Sequence, residues 1–177
     1  FVHVSLVPWI GPSQELKTKP TQHSVAALRS IGIQPDAIVC RSDRELPDSV
    51  KRKISLMCDV DTDAVVTAAD APSIYDIPVH FESEDLSAKL LRLLGIKTKR
   101  PSDLTAWKRF VKARATASHT VKIAVVGKYF NSGDFVLSDV YLSVLEALKY
   151  SAYSLHLKPE ITYLSASDFT DKKACAK

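Results

Sequence analysis

The sequence predicts an α/β fold in which a parallel β-sheet is covered by helices. Two observations carry this expectation. Short, nearly unbroken apolar runs recur at residues 2–7, 36–40, 64–68 and 121–127, as expected of strands buried by neighbouring layers. Between them lie segments whose apolar residues return every three or four positions, the period of an amphipathic helix. Strand–helix units of this length suit parallel strands, which need a crossover where antiparallel strands need only a tight turn.

The elements follow in order. Val2, Val4 and Leu6 mark the first strand, Val7 and Trp9 extend it, and Gly11-Pro12 ends it. After a polar loop, a helix over 24–31 carries Val25, Leu28 and Ile31 and is closed by Gly32. Ala37-Ile38-Val39-Cys40 forms the second strand. Pro47 opens the next helix, since a missing N–H costs nothing in a first turn, with Val50, Ile54 and Met57 as its apolar stripe. Ala64-Val65-Val66-Thr67-Ala68 is the third strand. From Ser83, read as an N-cap, a helix with Leu86, Leu90, Leu91 and Leu94 runs to Gly95. A loop over 97–101 leads to a helix capped by Ser102 or Asp103, with Leu104, Trp107 and Val111 on one side and Lys108, Arg109 and Lys112 on the other. Residues 121–127 restart as a strand, a long helix begins near 138 with Val140, Val144, Leu145 and Leu148, and 161–164 is the next strand.

The break in rhythm divides the chain into a first α/β domain over 1–95, a linker over 96–120, and the opening of a second α/β domain over 121–177. One strand–helix–strand is too little to close a core of its own. Both ends are therefore expected to cut through larger domains.

Composition narrows the function classes. Of 177 residues, 46% are hydrophobic and 25% charged, the balance of a globular protein rather than a disordered one. No apolar run approaches the roughly 18 residues of a membrane span, and no signal-peptide pattern opens the chain. Cys40, Cys58 and Cys175 are scattered and odd in number, which argues against a disulfide framework or a zinc site and fits a reducing, cytoplasmic setting. The net charge of +4 comes from residues 97–114, where Lys97, Lys99, Arg100, Lys108, Arg109, Lys112 and Arg114 face only Asp103. A nucleic-acid footprint would bring a recognisable motif or stacking aromatics as well, so a solvated linker and helix face is the better reading, and neither nucleic acid nor membrane is an expected partner.

The stretch Glu15-Leu16-Lys17-Thr18-Lys19-Pro20-Thr21-Gln22 is the richest in chemistry. Two ammonium groups, two hydroxyls and a carboxamide stand just ahead of a helix, whose first turn offers unpaired N–H groups and a partial positive charge to an anion. Lysines suit phosphate as mobile point charges, and Thr and Gln add directional hydrogen bonds. A triphosphate or sulfate cradle fits; an exposed polar loop with a Pro-Thr helix start fits equally. No Gly-x-x-x-x-Gly-Lys-[Ser/Thr] occurs, so the chain holds no conventional P-loop.

The spelling of the region adds to its chemistry. Val4 to Trp9 followed by Lys17-Thr18-Lys19-Pro20-Thr21-Gln22-His23-Ser24 resembles the C-terminal half of the synthetase (amidoligase) domain of the CTP synthases. The resemblance continues through Arg29 to Asp36 into Cys40-Arg41-Ser42, through Lys53-Ile54 and Met57-Cys58, and through Ser73-Ile74-Tyr75-Asp76-Ile77-Pro78. Beyond the linker, Ile123-Ala124-Val125-Val126-Gly127-Lys128-Tyr129 resembles the opening strand of that family's class I glutaminase domain, and Ser143 to Leu148 its first helix. The fold implied is a Rossmann-like amidoligase domain, truncated, followed by the first strand–helix–strand of the glutaminase domain.

The resemblance implies a function. The family makes CTP from UTP: ATP, as its Mg2+ complex, phosphorylates the uracil 4-oxygen, and ammonia released from glutamine displaces the phosphate. Carried over by position, Lys17, Thr18, Lys19, Pro20, Thr21 and Gln22, with Lys53, would hold UTP or the inhibitor CTP, acting across a subunit interface. Arg41, Asp70 and Ala71 would lie around the ATP adenine, although alanine stands where the family often has valine. GTP is the implied activator, and a homotetramer, or filaments of it, the implied assembly. The phosphate-binding glycine loop and acidic metal ligands are implied to precede this segment, and the glutaminase triad to follow it, so no catalytic and no metal-ligating residue is expected here. Cys175 lacks the strand-to-helix elbow of a nucleophile.

Plainer readings stand beside these roles. Lys53 lies in a basic run with Lys51 and Arg52, Arg41 could simply pair with Asp43, and His23 could point to water. Lys128 and Tyr129 could line a site in the second domain or merely pack. Cys40 and Cys58 suit the core, and Trp107 and Phe110 suit docking of the linker helix. A non-catalytic nucleotide-sensing or scaffold protein built on the same fold is the alternative to a piece of the enzyme.

Overall fold

In a computed structural model of the chain, residues 1–128, 130–132, 135–136 and 138–169 are described. They fall into two compact units, 1–104 and 105–177. Tyr129 and Cys175 lie outside the described residues.

The first unit is built on a parallel three-stranded sheet. Strand β1 (Val2–Leu6) leads into a small antiparallel ribbon, β2 (Trp9–Ile10) with β3 (Glu15–Leu16), and then into helix α1 (Lys19–Ser30). Strand β4 (Ala37–Ser42), helix α2 (Asp48–Cys58) and strand β5 (Val65–Ala69) follow. The sheet order is β1-β4-β5, with Val4 beside Val39 and Val39 beside Val66. The expected polar loop after β1 is thus partly a ribbon, and the helix begins five residues before the expected Ser24. Pro20 in its first turn explains the early start, because proline's fixed φ suits a helix entry.

Alternation along the strands gives the sheet two unlike faces. Ile38 and Cys40 share one face with Val65 and pack with Val25 of α1 and with Ile54 and Cys58 of α2 in a closed core. The stripe on α2 therefore ends on Cys58 rather than on the expected Met57, which is 53% exposed. On the other face Val39, Val66 and Ala68 are buried, while Val2, Val4 and Leu6 on β1 are 48%, 61% and 58% exposed. Continuous apolar sequence holds for the central strand; the outer strand is covered on one side only.

Beyond β5 the chain forms helices α3 (Ile77–Ser83) and α4 (Leu86–Leu93). Ser83 closes α3 instead of capping α4, a correction to the sequence reading. Asp85, in a left-handed conformation with φ 56°, makes the corner between them. The sequence signal missed was Pro78, again in a helix's first turn. Helix α3 also covers the outer edge of β5. The Thr67 N–H donates to both oxygens of Glu84 at 3.3 Å, and His80 Nε2 donates to the Thr67 carbonyl at 3.1 Å. Covering an edge strand in this way removes a template for unwanted pairing.

The second unit holds helix α5 (Thr105–Thr116), strand β6 (His119–Gly127), a two-stranded ribbon of β7 (Asn131–Ser132) with β8 (Phe135–Val136), helix α6 (Leu142–Ser154) and strand β9 (Leu157–Ser165). Strands β6 and β9 are parallel, with Ile123 beside Ile161. Phe110 of α5 lies 4.6 Å, ring to ring, from Tyr150 of α6, so the helix read as part of a linker docks within this unit. Its Lys108, Arg109 and Lys112 are exposed, while Leu145 and Ala152 of α6 are buried.

Candidate functional site

The carboxyl ends of parallel strands are where ligands gather in open α/β sheets. Here these ends are Leu6, Ser42 and Ala69, and the sequence-predicted site residues fall beside them in two groups.

The first group surrounds the entry of α1. The Lys17 N–H donates to the Pro8 carbonyl at 2.9 Å, which ties the ribbon's return strand beside the end of β1. Lys17 Nζ pairs with the Glu15 carboxylate. The Lys17 hydrogen bond and charge hold that carboxyl below its usual range, with a hydrogen bond from Ser13 and the charge of Lys53 adding to the effect. Glu15 thus lies in the field of both lysines, one from the ribbon and one from α2. Lys19 and Pro20 are exposed, and Lys17 and Gln22 are half-buried. Lys53 and His23 are exposed as well.

The two threonines are turned inward. Thr18 is 3% exposed and its Oγ1 accepts a hydrogen bond from Gln22 Nε2 at 3.0 Å. Thr21 is fully buried; its Oγ1 accepts from Ser5 Oγ at 3.1 Å and donates to the Leu6 carbonyl at 3.2 Å. Neither hydroxyl caps the helix: Thr18, the N-cap residue, makes no side-chain cap bond. The polar side-chain surface offered at the start of α1 is therefore ammonium and amide rather than hydroxyl.

The second group joins β4 to the turn after β5. Arg41 Nη1 donates to the Ala68 carbonyl at 2.8 Å and Nη2 to Asp70 Oδ1 at 2.7 Å. The pairing with Asp43 weighed from sequence is not formed; Asp43 is held by Arg44, whose guanidinium lies 3.8 Å from the Trp9 ring centroid. The Arg41–Asp70 pair borders a groove of about 780 Å³ whose wall includes Val4, Val39, Ala71, Ile77 and Phe81. An apolar wall with a charged lip suits a flat heterocycle with polar edges. On the other side of the pair lies a smaller hollow lined by Pro8, Trp9, Ser42 and Asp43.

One trio of possible metal ligands occurs among the described residues, Glu45, His80 and Glu84. It does not fit a divalent cation. Lys51 Nζ already sits 2.9 and 2.8 Å from the two Glu84 oxygens, and His80 Nε2 is committed to the Thr67 carbonyl. Burial pushes the Glu84 carboxyl up, but the Lys51 hydrogen bond and charge and the Thr67 N–H outweigh it and hold the group low.

Cys40 and Cys58 are buried in the core, and burial pushes the Cys40 thiol up to about 12, so neither thiol is poised as a nucleophile. In the second unit Lys128 is exposed at the end of β6, and its N–H donates to the Tyr141 hydroxyl at 3.1 Å. Three contributors escaped sequence reasoning: Glu15 as counter-ion, Ser5 as a partner of Thr21, and Trp9 beneath Arg44. Ser5 and Trp9 depend on tertiary proximity, which no local spacing announces, whereas Glu15 stands two positions from Lys17 and its counter-ion role was open to local reading.

Comparison with known proteins places the chain in a family. Residues 1–96 match the family model described as the CTP synthase N-terminus. The chain is 55% identical to the CTP synthase of a Nocardioides species over 95% of its own length and 28% of that protein. It is 56% identical to that of Saccharopolyspora erythraea over 93% of its length and 28% of the relative, and 47% identical to that of Nostoc punctiforme over 98% and 31%. The chain thus spans under a third of the relatives it matches. It belongs to the CTP synthase family.

Proposed function

We propose that this chain is the pyrimidine-nucleotide-holding part of a CTP synthase, a ligase of pyrimidine biosynthesis that aminates UTP with ATP and glutamine-derived ammonia. Within the matched N-terminal region, residues 1–95 would be the C-terminal part of the synthetase domain. Residues 96–120 would be the linker, and 121–177 the opening of the glutaminase domain. The chain supplies binding surface, while the residues that cleave glutamine and hold Mg2+ would belong to other segments of the enzyme. GTP activation and assembly into homotetramers, or filaments of them, are part of the same reading.

The observation that carries it is the Lys17–Glu15 ion pair at the entry of α1, with the exposed Lys19 beside it in the chain and the charge of Lys53 felt by Glu15. A triphosphate brings several negative charges to one point, and the ammonium groups of Lys17, Lys19 and Lys53 with the Gln22 amide would answer that charge. Nucleotide binding would exchange the Lys17–Glu15 pair for Lys17–phosphate, with Glu15 as the competing anion. UTP and CTP share the triphosphate, hence one cradle would serve substrate and inhibitor. The Arg41–Asp70 lip over an apolar groove is the corresponding support for an adenine site, with Ala71 beside it.

The test is a steady-state comparison in the full-length synthase. Lys17→Ala and Lys53→Ala are each expected to raise the UTP concentration for half-saturation and the CTP concentration for half-inhibition together, by about ten- to a hundredfold. CTP inhibition that survives unchanged in both variants contradicts the assignment.

A further inference from the structure

Where α1 lies on β1, the two elements meet through polar groups. Ser5 Oγ donates to Thr21 Oγ1 at 3.1 Å, Thr21 Oγ1 donates to the Leu6 carbonyl at 3.2 Å, and His3 Nε2 lies 2.8 Å from Ser24 Oγ. His3 and Ser5 alternate along the covered face of the strand, and Thr21 and Ser24 stand one turn apart on the helix, so the contacts form a short ladder. Apolar surfaces can slide past each other at little cost, whereas a satisfied buried hydrogen-bond network fixes one arrangement.

We propose that Thr21 is a positioning residue for the nucleotide cradle and not one of its ligands, an inference that rests on the reading of Lys17, Lys19 and Gln22 as the triphosphate site. Its hydroxyl proton is spent on Leu6, one lone pair on Ser5, and the side chain is wholly buried, which leaves no surface for a phosphate. What the bond does is close a loop. Leu6 and Thr21 are fifteen positions apart, and between them the chain makes the excursion that carries Glu15, Lys17 and Lys19. Tying its two feet together sets the height and rotation of the first helical turn against the sheet. A shift there displaces the lysines from the charges they meet, and losses from misplacement of about 1 Å reach a hundredfold in related situations.

The experiment compares variants of the full-length synthase for UTP half-saturation, CTP half-inhibition, ATP half-saturation and kcat. Thr21→Val keeps the shape and removes the hydroxyl; it is expected to weaken UTP and CTP by about tenfold, with ATP half-saturation and kcat within about twofold. Thr21→Ser restores the hydroxyl and should return both nucleotides to within about twofold of the parent. Ser5→Ala, in a residue that meets the cradle only through Thr21, should weaken both by about threefold, and its effect should vanish in the Thr21→Val background. Three results overturn the proposal: unaltered UTP and CTP in Thr21→Val, an equal loss for ATP, or a Ser5→Ala enzyme identical to the parent. The last would make Thr21 a direct ligand. Should Thr21→Val not fold, Ser5→Ala alone decides, by the same threefold criterion. Lys17→Ala runs alongside: if it leaves UTP and CTP untouched the cradle itself is misassigned, whereas a working Lys17 effect with an inert Thr21→Val removes only the positioning role.

Discussion

Lys17 and Thr21 stand four positions apart in one string and are differently placed: one ends in a partly exposed ammonium paired with Glu15, the other in a hydroxyl enclosed by β1. The same contrast separates Arg41 from Arg44. Arg41 spans β5 and the turn after it, and its fork geometry matches a carbonyl and a carboxylate at once, which a lysine could not reproduce. Arg41→Ala is accordingly expected to raise the ATP half-saturation of the full-length enzyme by about tenfold while UTP half-saturation stays put, the reverse of the Lys17 pattern. Equal losses for both nucleotides would mean that Arg41 supports the fold rather than the adenine. Cys40 gives a residue-level prediction about pH. Its folded pKa lies above the unfolded value, so the neutral thiol adds stability that is whole below about pH 9 and lost as pH rises towards about 12. Cys40→Ser should flatten that alkaline decline in denaturant titrations; an unchanged decline would place its cause elsewhere.

At the scale of elements, legibility followed burial. Strands β4 and β5 stood out because a chain covered on both faces has no polar alternation to confuse it. Helix α3 escaped because no residue in it is buried, so it leaves little apolar periodicity to read. What it contributes is polar: Glu84 at its end and His80 within it satisfy the outer edge of β5, and Lys51 of α2 neutralises Glu84. The Lys51 and Glu84 side chains are only 18% and 15% exposed, so Lys51→Ala leaves a poorly solvated carboxylate and should cost about 2 kcal/mol in urea unfolding, less than the roughly 3–5 of a fully dry pair. Glu84 titrates below its ordinary value of 4.5, so the pair's contribution is present above that pH and lost as pH falls through the lower folded value. The variant should therefore lose less stability than the parent between pH 4.5 and the acid limit; parallel acid profiles would contradict the pairing. In the second unit, a methyl group on Gly127 would come within 2.6 Å of the Phe130 ring and 2.7 Å of Tyr141. Gly127→Ala should lower the thermal midpoint read by calorimetry, and an unchanged midpoint would contradict this close packing.

For the whole molecule, the fold class was open to the sequence and the site only half so. Apolar runs and helical spacing specify layers, but the fork of Arg41 on the Ala68 carbonyl and Asp70 joins β4 to the end of β5 through tertiary packing, and no one-dimensional pattern encodes it. The string from Lys17 to Gln22 suits a phosphate by composition and a plain polar loop equally; which of its members face outward depends on where α1 begins, and the helix starts at Lys19, five residues before the position its apolar spacing predicts. The structure leaves Val2, Val4 and Leu6 of β1 exposed, and Lys19 and Lys53 are exposed with Lys17 half-buried, so the proposed cradle is open to chemical probing. The most direct test is amine labelling of the full-length enzyme at Lys17, Lys19 and Lys53. Saturating UTP or CTP should protect all three, and uridine, which lacks the phosphates, should protect none. Full labelling in the presence of bound CTP would contradict the account.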